Sequence, residues 1–185
     1  MKFNKIPKDT FDNLQLDAGV VLKNFDPEAA AAPADEDIVT ATTGGINITC
    51  VPTYSDMGED VDNCPANMME LKKLDYWTCG MSFTALDMSA ENLRLALGAA
   101  DISGDKVTIR RDLKDTDFND IWWVGDTASG GMVAVCLKNA LSGEGLSIQT
   151  SKNSKGQLSV SLMGHVSIDA QDEMPMEFYS AAAAA

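Results

Sequence analysis

Apolar and polar side chains alternate with a period of two through long stretches of this chain, and this pattern constrains its fold most. The clearest stretch, residues 157–168, contains the run LSVSLMGHVSI, and a second stretch covers residues 69–86. Such alternation is typical of a β-strand with one face buried and the other exposed. The predicted apolar faces consist of Leu158, Val160, Leu162, Val166 and Ile168, and of Trp77, Cys79, Met81, Phe83 and Ala85. The predicted polar faces consist of Ser159, Ser161, His165 and Ser167, and of Thr78, Gly80, Ser82 and Thr84.

Shorter β patterns and one helix complete the predicted architecture. Residues 90–99 favour an α-helix with Ser89 as its N-cap. The predicted buried stripe of this helix is Leu93, Leu97 and Ala100. Further strands are predicted at 38–51, with a hairpin turn or bulge at Gly44-Gly45, and at 106–111, 118–125, 131–138, 145–150 and 174–179. Many strands around one helix, without βαβ alternation, predict a mainly β fold, either a β-sandwich or a half-barrel with free edges.

The chain divides into a terminal arm and one folded domain. Residues 1–36 are predicted to be an extended N-terminal arm that ends in an alanine-rich acidic linker. Residues 37–180 form the β domain, in which the acidic stretch 52–68 is predicted to be a long loop because Pro, Gly, Asp and Asn interrupt every period. The alanines at 181–185 are interpreted as a flexible tail or an artefact and take no part in the predicted fold.

An excess of acidic residues limits the partners of the chain. Its 185 residues include 28 acidic and 14 basic ones, which gives a formal net charge of −14. Such a surface repels phosphate, so a conventional nucleic-acid binder is excluded and an anionic membrane surface is disfavoured. The sequence also predicts neither a signal peptide nor a membrane span, because no stretch of about 18 apolar residues occurs. We therefore expect synthesis in a reducing cytosol.

The cysteines and the single histidine give little indication of a metal-binding or catalytic site. Cys50 and Cys79 lie in apolar alternation and are predicted to be small core residues, whereas Cys64 is the predicted exposed thiol. Without a CxxC pair, the four cysteines and His165 do not have the spacing of a zinc site. We expect no cofactor and no metal. An enzyme that uses Cys64 with His165 remains the less favoured alternative.

A stretch of acidic residues superficially imitates a calcium loop. Asp115, Asp117 and Asn119 have the required spacing, and Asp126 occupies position 12. Position 6, however, is Asp120 where the loop needs glycine, and position 12 lacks the bidentate glutamate. The match is interpreted as chance, and a calcium-dependent enzyme is a minor alternative. No catalytic residue is predicted.

The adjacent pair Trp122-Trp123 suggests an interface. Neighbouring residues of a strand point to opposite faces, so one indole can enter the core while the other faces outward. Tryptophan is enriched at the centre of protein interfaces. Together with an apolar arm and free sheet edges, the pair predicts a building block that completes its structure with its neighbours.

Ordered segments along nearly the whole chain resemble the major tail proteins, or tail tube proteins, of long-tailed bacteriophages of Gram-positive hosts. The segments include LQLDAGVVLKNFDP, TATTGGINIT, GEDVDNCPANMMELKKLDYWTCGMS, LGAADI, DFNDIWWVGD, KNALSGEGLSIQT and KGQLSVSLMGHVSIDAQDEMP, and they keep their order from about residue 14 to 179. The resemblance implies a tail-tube half-barrel with one flanking helix, whose sheets join across subunits into a continuous β-barrel. It also implies a structural, non-enzymatic virion protein, assembled in the host cytoplasm as stacked hexameric rings.

The resemblance further implies partners and contact residues. The partners would be other copies of the chain, the tape measure, tail tip and tail terminator proteins, and viral DNA in transient passage during ejection. The expected inter-subunit contacts are Phe11, Leu14, Leu16, Val20, Leu22, Phe25, Tyr54, Met57, Trp122, Trp123, Phe178 and Tyr179. A lumen lined by carboxylates and small polar groups would repel DNA, and Thr78, Ser82, Thr84, Ser159, Ser161 and Ser167 are candidates for that lining. The alternative is that the chain is the tube subunit of a phage-derived tailocin, gene-transfer particle or secretion system, which would be built in the same way.

Overall fold

Ten β-strands and one α-helix make up the described part of the chain, which in this computed structural model comprises residues 5–29 and 32–181. The predicted mainly β fold with one α-helix is confirmed. Residues 1–4 of the predicted arm, 30–31 of its linker and 182–185 of the alanine run lie outside the described residues. The elements are β1 (Gln15–Leu22), β2 (Thr42–Asp56), β3 (Lys72–Ala85), α1 (Ala90–Leu97), β4 (Ala100–Ser103), β5 (Lys106–Ile109), β6 (Asn119–Thr127), β7 (Met132–Ser142), β8 (Ser147–Gln149), β9 (Gln157–Met163) and β10 (Met176–Ala181).

Strand β7 joins two antiparallel halves of one eight-stranded sheet. The strand order is β1-β6-β7-β9-β3-β2, with β10 beside β7 and β8 beside β9. The first part of β7 pairs with β6 and β10, whereas its last residues, Leu141 and Ser142, pair with β9. We call β1, β6, β7 and β10 the first half-sheet, and β2, β3, β8 and β9 the second half-sheet. Strands β4 and β5 form a separate hairpin.

The core lies between the apolar faces of the two half-sheets. The predicted alternation in β3 and β9 is confirmed, because the side chains of these strands on the core side are buried almost without exception. The alternation predicted beyond β9 is wrong. The strand ends at Met163, and Ile168 is 81% exposed. Gly164 passes so close to Leu137 and Pro175 that a Cβ atom would clash with both, and the chain leaves the sheet there.

The predicted N-terminal arm is wrong for residues 15–22, which form β1 and pair with β6. Val21 and Leu22 are fully buried, opposite Trp123 and Trp122. A bulge interrupts β1 where Gly19 has a φ of 69° and lies against the backbone of Val124. Some of the apolar side chains that were expected to contact a neighbouring subunit are therefore buried within the chain itself.

Strand β2 begins at Thr42 and ends at Asp56, so it lies later in the chain than the predicted strand 38–51 and shortens the predicted loop. Gly44-Gly45 is a bulge, because the register with β3 shifts there and both glycines have a positive φ. Pairing with β3 then continues to Asp56 opposite Lys72, so residues 52–56 are strand. Pro52 is tolerated because β2 lies at the edge of the sheet.

The helix begins as predicted and ends early. The hydroxyl of Ser89 accepts a hydrogen bond from the backbone N–H of Asn92, which confirms the N-cap. Gly98, with a φ of 76°, terminates α1 after Leu97, and Ala100 belongs to β4. The predicted stripe is confirmed in part, because Leu93 packs against the core and Ala100 is buried, although the buried residues of α1 itself are Asn92 and Ala96. No helix among the described residues is long and apolar enough to cross a membrane.

Candidate assembly surfaces

The outer half of the β2–β3 hairpin projects beyond the core. We call residues 51–56, the connecting loop 57–71 and residues 72–76 the distal hairpin. Val51 is 56% and Tyr76 is 59% exposed, and Tyr54 and Leu74, which pair across the two strands, are exposed as well. The core contacts of the two strands begin only at Cys50 and Trp77. The distal hairpin is thus a two-stranded arm with apolar side chains that no element of the described chain covers.

The distal hairpin contains residues that sequence reasoning missed. Val51, Leu74 and Tyr76 were not predicted as contact residues, although a signal exists in the sequence. Apolar residues occupy the odd positions of β3 from Trp77 to Ala85 but the even positions 74 and 76 before it. A bulge in the pairing with β2 accompanies this switch, so Tyr76 and Leu74, which lie opposite adjacent residues of β2, point to opposite faces of the hairpin.

Asp56 fixes the loop of the distal hairpin. Its carboxylate accepts hydrogen bonds from the backbone N–H groups of Gly58 and Asn67, both at 3.0 Å, and lies 3.5 Å from the ammonium of Lys72. These bonds, the one from Gly58 above all, lower the pKa of Asp56. The loop also exposes Met57, a predicted contact residue. A single carboxylate therefore organises a loop that presents apolar side chains.

Several strand edges of the large sheet have no strand partner within the described chain. They include one edge of β2, the outer edge of β10, the edge of β8 away from β9 and the Gln15–Val20 part of β1. The remainder of β1 is covered, because the backbone N–H of Val39 donates to the carbonyl of Val21. Phe178 on β10 is 63% exposed. Unpaired strand edges present free backbone donors and acceptors, so they are sites where a second chain can add a strand.

The outer face of the second half-sheet carries no charged side chain over its central part, and we call it the polar face. Predicted polar residues pair across this face, with Thr84 opposite Ser159 and Ser82 opposite Ser161. Ser167 does not belong to it, because this residue follows the end of β9 and caps a short 3-10 helix. The face is completed by Asn47, Thr49, Thr78, Gly80, Ser147, Gln149 and Gln157. Apart from Met163 opposite Gly80 and Val51 opposite Thr78, it consists of hydroxyl, amide and small side chains, and the carboxylates that were expected beside them are absent from it.

The two tryptophans point to opposite faces of β6. Trp123 packs against the core, and its indole N–H donates to the carbonyl of Ala18 at 2.9 Å. On the other face, the ring of Trp122 lies 5.7 Å from that of Phe25 and 5.5 Å from that of Tyr179. The half-buried aromatic residues therefore already contact one another within the chain.

The structure sorts the predicted contact residues by exposure. Leu22 is fully buried, so it stabilises the fold of this chain and is not available to a neighbour. Half-buried residues are Val20, Phe25, Trp122, Trp123 and Tyr179. Exposed residues are Phe11, Leu14, Leu16, Tyr54, Met57 and Phe178.

In the stretch that resembles a calcium loop, a carboxylate forms ion pairs with arginine side chains. The carboxylate of Asp117 is fully buried, bonded to the guanidinium of Arg110 and 3.9 Å from that of Arg94. Burial alone would raise the pKa of Asp117, but the N–H of Lys114 and the two guanidinium groups outweigh it and lower the pKa. Asp117 is thus bound by cationic side chains of its own chain. Among the described residues, no group of three or more His, Cys, Asp or Glu is arranged to hold a metal ion.

Cys64 and His165 do not form a catalytic pair. Cys64 lies in the loop of the distal hairpin, near Gly58 and Leu71. His165 follows Gly164, whose N–H donates to the carbonyl of Cys79. The eight strand residues from Lys72 to Cys79 separate these places by about 26 Å. The alternative that joins the two side chains in one site is therefore wrong.

Comparison with known proteins adds no relative. None of the protein-family models matches the chain. No curated protein matches it either.

Proposed function

We propose that this chain is a structural subunit that polymerises through its open strand edges and its distal hairpin, as stacked hexameric rings that form the tail tube of a long-tailed bacteriophage. The tube would conduct DNA into the host during ejection. The observation that carries the proposal is the combination of a 15-residue edge strand, β2, with exposed apolar residues on the hairpin that extends from it. The ordered resemblance of the sequence to tail tube proteins supplies the particular assembly.

The unpaired edges support side-by-side joining of subunits. An edge strand of this length is a liability in a monomer, because it is a template for pairing with other chains. If β2 of one copy paired with a strand edge of the next, the unpaired backbone N–H and C=O groups of both strands would form hydrogen bonds. Closure of a ring would then leave no edge free. We infer that a closed β-barrel is built in this way from the half-sheets of several copies.

The distal hairpin supports contact between stacked rings. Residues 51–56 extend about 20 Å at the usual rise of a strand. The exposed Tyr54, Leu74 and Tyr76 give this arm an apolar surface that burial against a second copy would stabilise. We therefore assign the arm the role of reaching the neighbouring ring.

The polar face supports the role of lumen lining. It lacks lysine and arginine, so passing DNA would find no cation to hold its phosphates. The sequence led us to expect carboxylates in the lining of the lumen. With this face as the lining, weak contact with DNA would instead follow from the absence of cationic side chains. The net charge of −14 would then act at longer range. The proposed partners are further copies, the tape measure, tail tip and terminator proteins, and DNA in passage, and the proposed location is the virion tail after assembly in the host cytoplasm.

Electron microscopy of the concentrated, purified chain tests this proposal, with two variants of equal charge. Tyr76→Glu places a charge on the distal hairpin, and Gln149→Glu places one on the polar face. We expect rings or tubes of uniform width from the original chain and from Gln149→Glu, and loss of tubes in Tyr76→Glu. Circular dichroism checks that both variants fold.

Two results would contradict the proposal. One is a strictly monomeric chain at every concentration and in the presence of preformed tail tips as nuclei. The other is a set of assemblies that Tyr76→Glu leaves unchanged, because the distal hairpin would then have no part in stacking.

A further inference from the structure

Two cysteines lie opposite each other on neighbouring strands. Cys50 of β2 pairs with Cys79 of β3 in the antiparallel register, and their Sγ atoms are 3.3 Å apart. All four cysteines of the chain are free thiols. The other two lie elsewhere, since Cys64 contacts Met68 and Cys136 lies opposite Trp122. Only one pair of thiols is therefore in contact.

The backbone geometry of this pair suits a disulfide. The carbonyl of Cys79 accepts a hydrogen bond from Gly164, on the side of β3 away from β2. In a strand, the N–H and C=O of one residue point to the same side, so Cys50 and Cys79 form a non-hydrogen-bonded pair. Such pairs have Cα atoms about 4.5 Å apart, within the range that a disulfide spans. The two sulfur atoms must approach by only about 1.3 Å to reach bonding distance.

We propose that Cys50 and Cys79 are a dithiol site that a small-molecule disulfide such as oxidised glutathione converts into a cross-strand disulfide. The thiolate of Cys50 attacks one glutathione sulfur, forms a mixed disulfide and releases one glutathione thiolate. Cys79 then loses its proton to solvent, and its sulfur attacks the sulfur of Cys50 and displaces the second glutathione. One oxidised glutathione is reduced to two thiols, and two protein thiols are oxidised to one disulfide.

Exposure sets the order of these steps. Cys50 is half-buried on an edge strand, where a reagent can reach it, whereas Cys79 is buried. Burial, together with the neighbouring Cys50, raises the pKa of the Cys79 thiol to about 12. Cys79 therefore acts second, within the mixed disulfide, where its partner sulfur is already adjacent. The finished bond would fix β2 to β3 once the chain leaves a reducing compartment. This inference concerns the single chain and does not rest on the proposed assembly.

Thiol mapping of the full chain tests the inference. The reduced protein is equilibrated with oxidised glutathione in tenfold excess over the reduced form, quenched in acid and alkylated with N-ethylmaleimide in denaturant. Mass spectrometry should show two of the four thiols blocked from alkylation and one cross-linked peptide pair that joins Cys50 to Cys79. Dithiothreitol should restore four reactive thiols.

Matched variants identify the pair. Cys64→Ser should form the same cross-link, and Cys50→Ser should form no intramolecular disulfide. If Cys50→Ser fails to fold, the mapped cross-link in the original chain decides by itself. Alkylation of both Cys50 and Cys79 after equilibration, or a cross-link that contains Cys64, would overturn the inference.

Discussion

Asp117 is a fully buried charge, and the residues around it explain how the fold tolerates it. Arg110 is 13% exposed and bonded to Asp117, Arg94 lies nearby, and the backbone N–H of Lys114 donates to its carboxylate. The carboxylate has a lowered pKa, so it stays ionised to a lower pH in the folded chain than in the unfolded one. Its contribution is present at neutral pH and is lost as pH falls through the folded pKa.

Asp117→Asn tests the buried ion pair. Removal of the negative charge leaves Arg110 with only the exposed Asp101, 2.9 Å from its Nε, as a counter-charge, and loss of a buried hydrogen-bond partner costs about 1–3 kcal/mol. We expect a decrease of this order in the free energy of unfolding, measured by urea titration at pH 7. The control, Asp115→Asn, changes an exposed carboxylate in the same turn and should alter stability by less than about 0.5 kcal/mol. Equal losses in the two variants would show that the network is not structural.

Leu22→Ala tests whether β1 belongs to the fold of the single chain. Leu22 is 0% exposed, and truncation of a buried leucine costs about 2–5 kcal/mol. Leu16→Ala, in the exposed part of the same strand, should cost less than about 1 kcal/mol. Thermal unfolding of the two variants measures the difference. If residues 15–22 were a free arm, both variants would unfold like the original chain.

At the scale of elements, the distal hairpin depends on a carboxylate that titrates. The pKa of Asp56 is lowered, first by the hydrogen bond from Gly58. A lowered folded pKa means that the stabilisation is complete above the ordinary value of 3.8 and disappears as pH falls through the lower folded value. Below that range the protonated group holds the two backbone N–H groups less strongly, and the loop 57–71 should loosen.

NMR titration from pH 6 to pH 2.5 measures this effect. The amide resonances of Gly58 and Asn67 should shift together, with a midpoint below 3.8. In Asp56→Asn neither resonance should show this titration. Amide shifts that titrate independently, or with a midpoint above 3.8, would show that Asp56 does not organise the loop.

Element boundaries show what could be predicted from sequence alone. The buried positions of β3 followed directly from alternation, because one face of that strand meets only apolar neighbours. The ends of β2 and β9 could not be predicted from alternation. Pro52 interrupts the local pattern, yet the edge position tolerates it, and Gly164 ends β9 because of contacts with Leu137 and Pro175. Both outcomes depend on segments distant in sequence.

For the whole molecule, charge should control association. Copies with a net charge of −14 repel one another, and the Debye length falls from about 10 Å at 0.1 M salt to about 3 Å at 1 M. We expect the concentration at which tubes form to fall as NaCl rises from 0.05 to 0.5 M, and light scattering measures it. An assembly that weakens with salt would instead indicate contacts built on ion pairs between copies.

Sequence by itself determined the mainly β class, the helix with its N-cap and the core face of the central strands. These follow from local periodicity and residue chemistry, which act over a few neighbouring positions. Tertiary structure alone decided that β1 joins the sheet, that Asp117 is neutralised by arginines, that Cys50 meets Cys79 and that the distal hairpin stays uncovered. Each of these depends on which distant segments become neighbours, and strand pairing settles that only when the whole sheet forms.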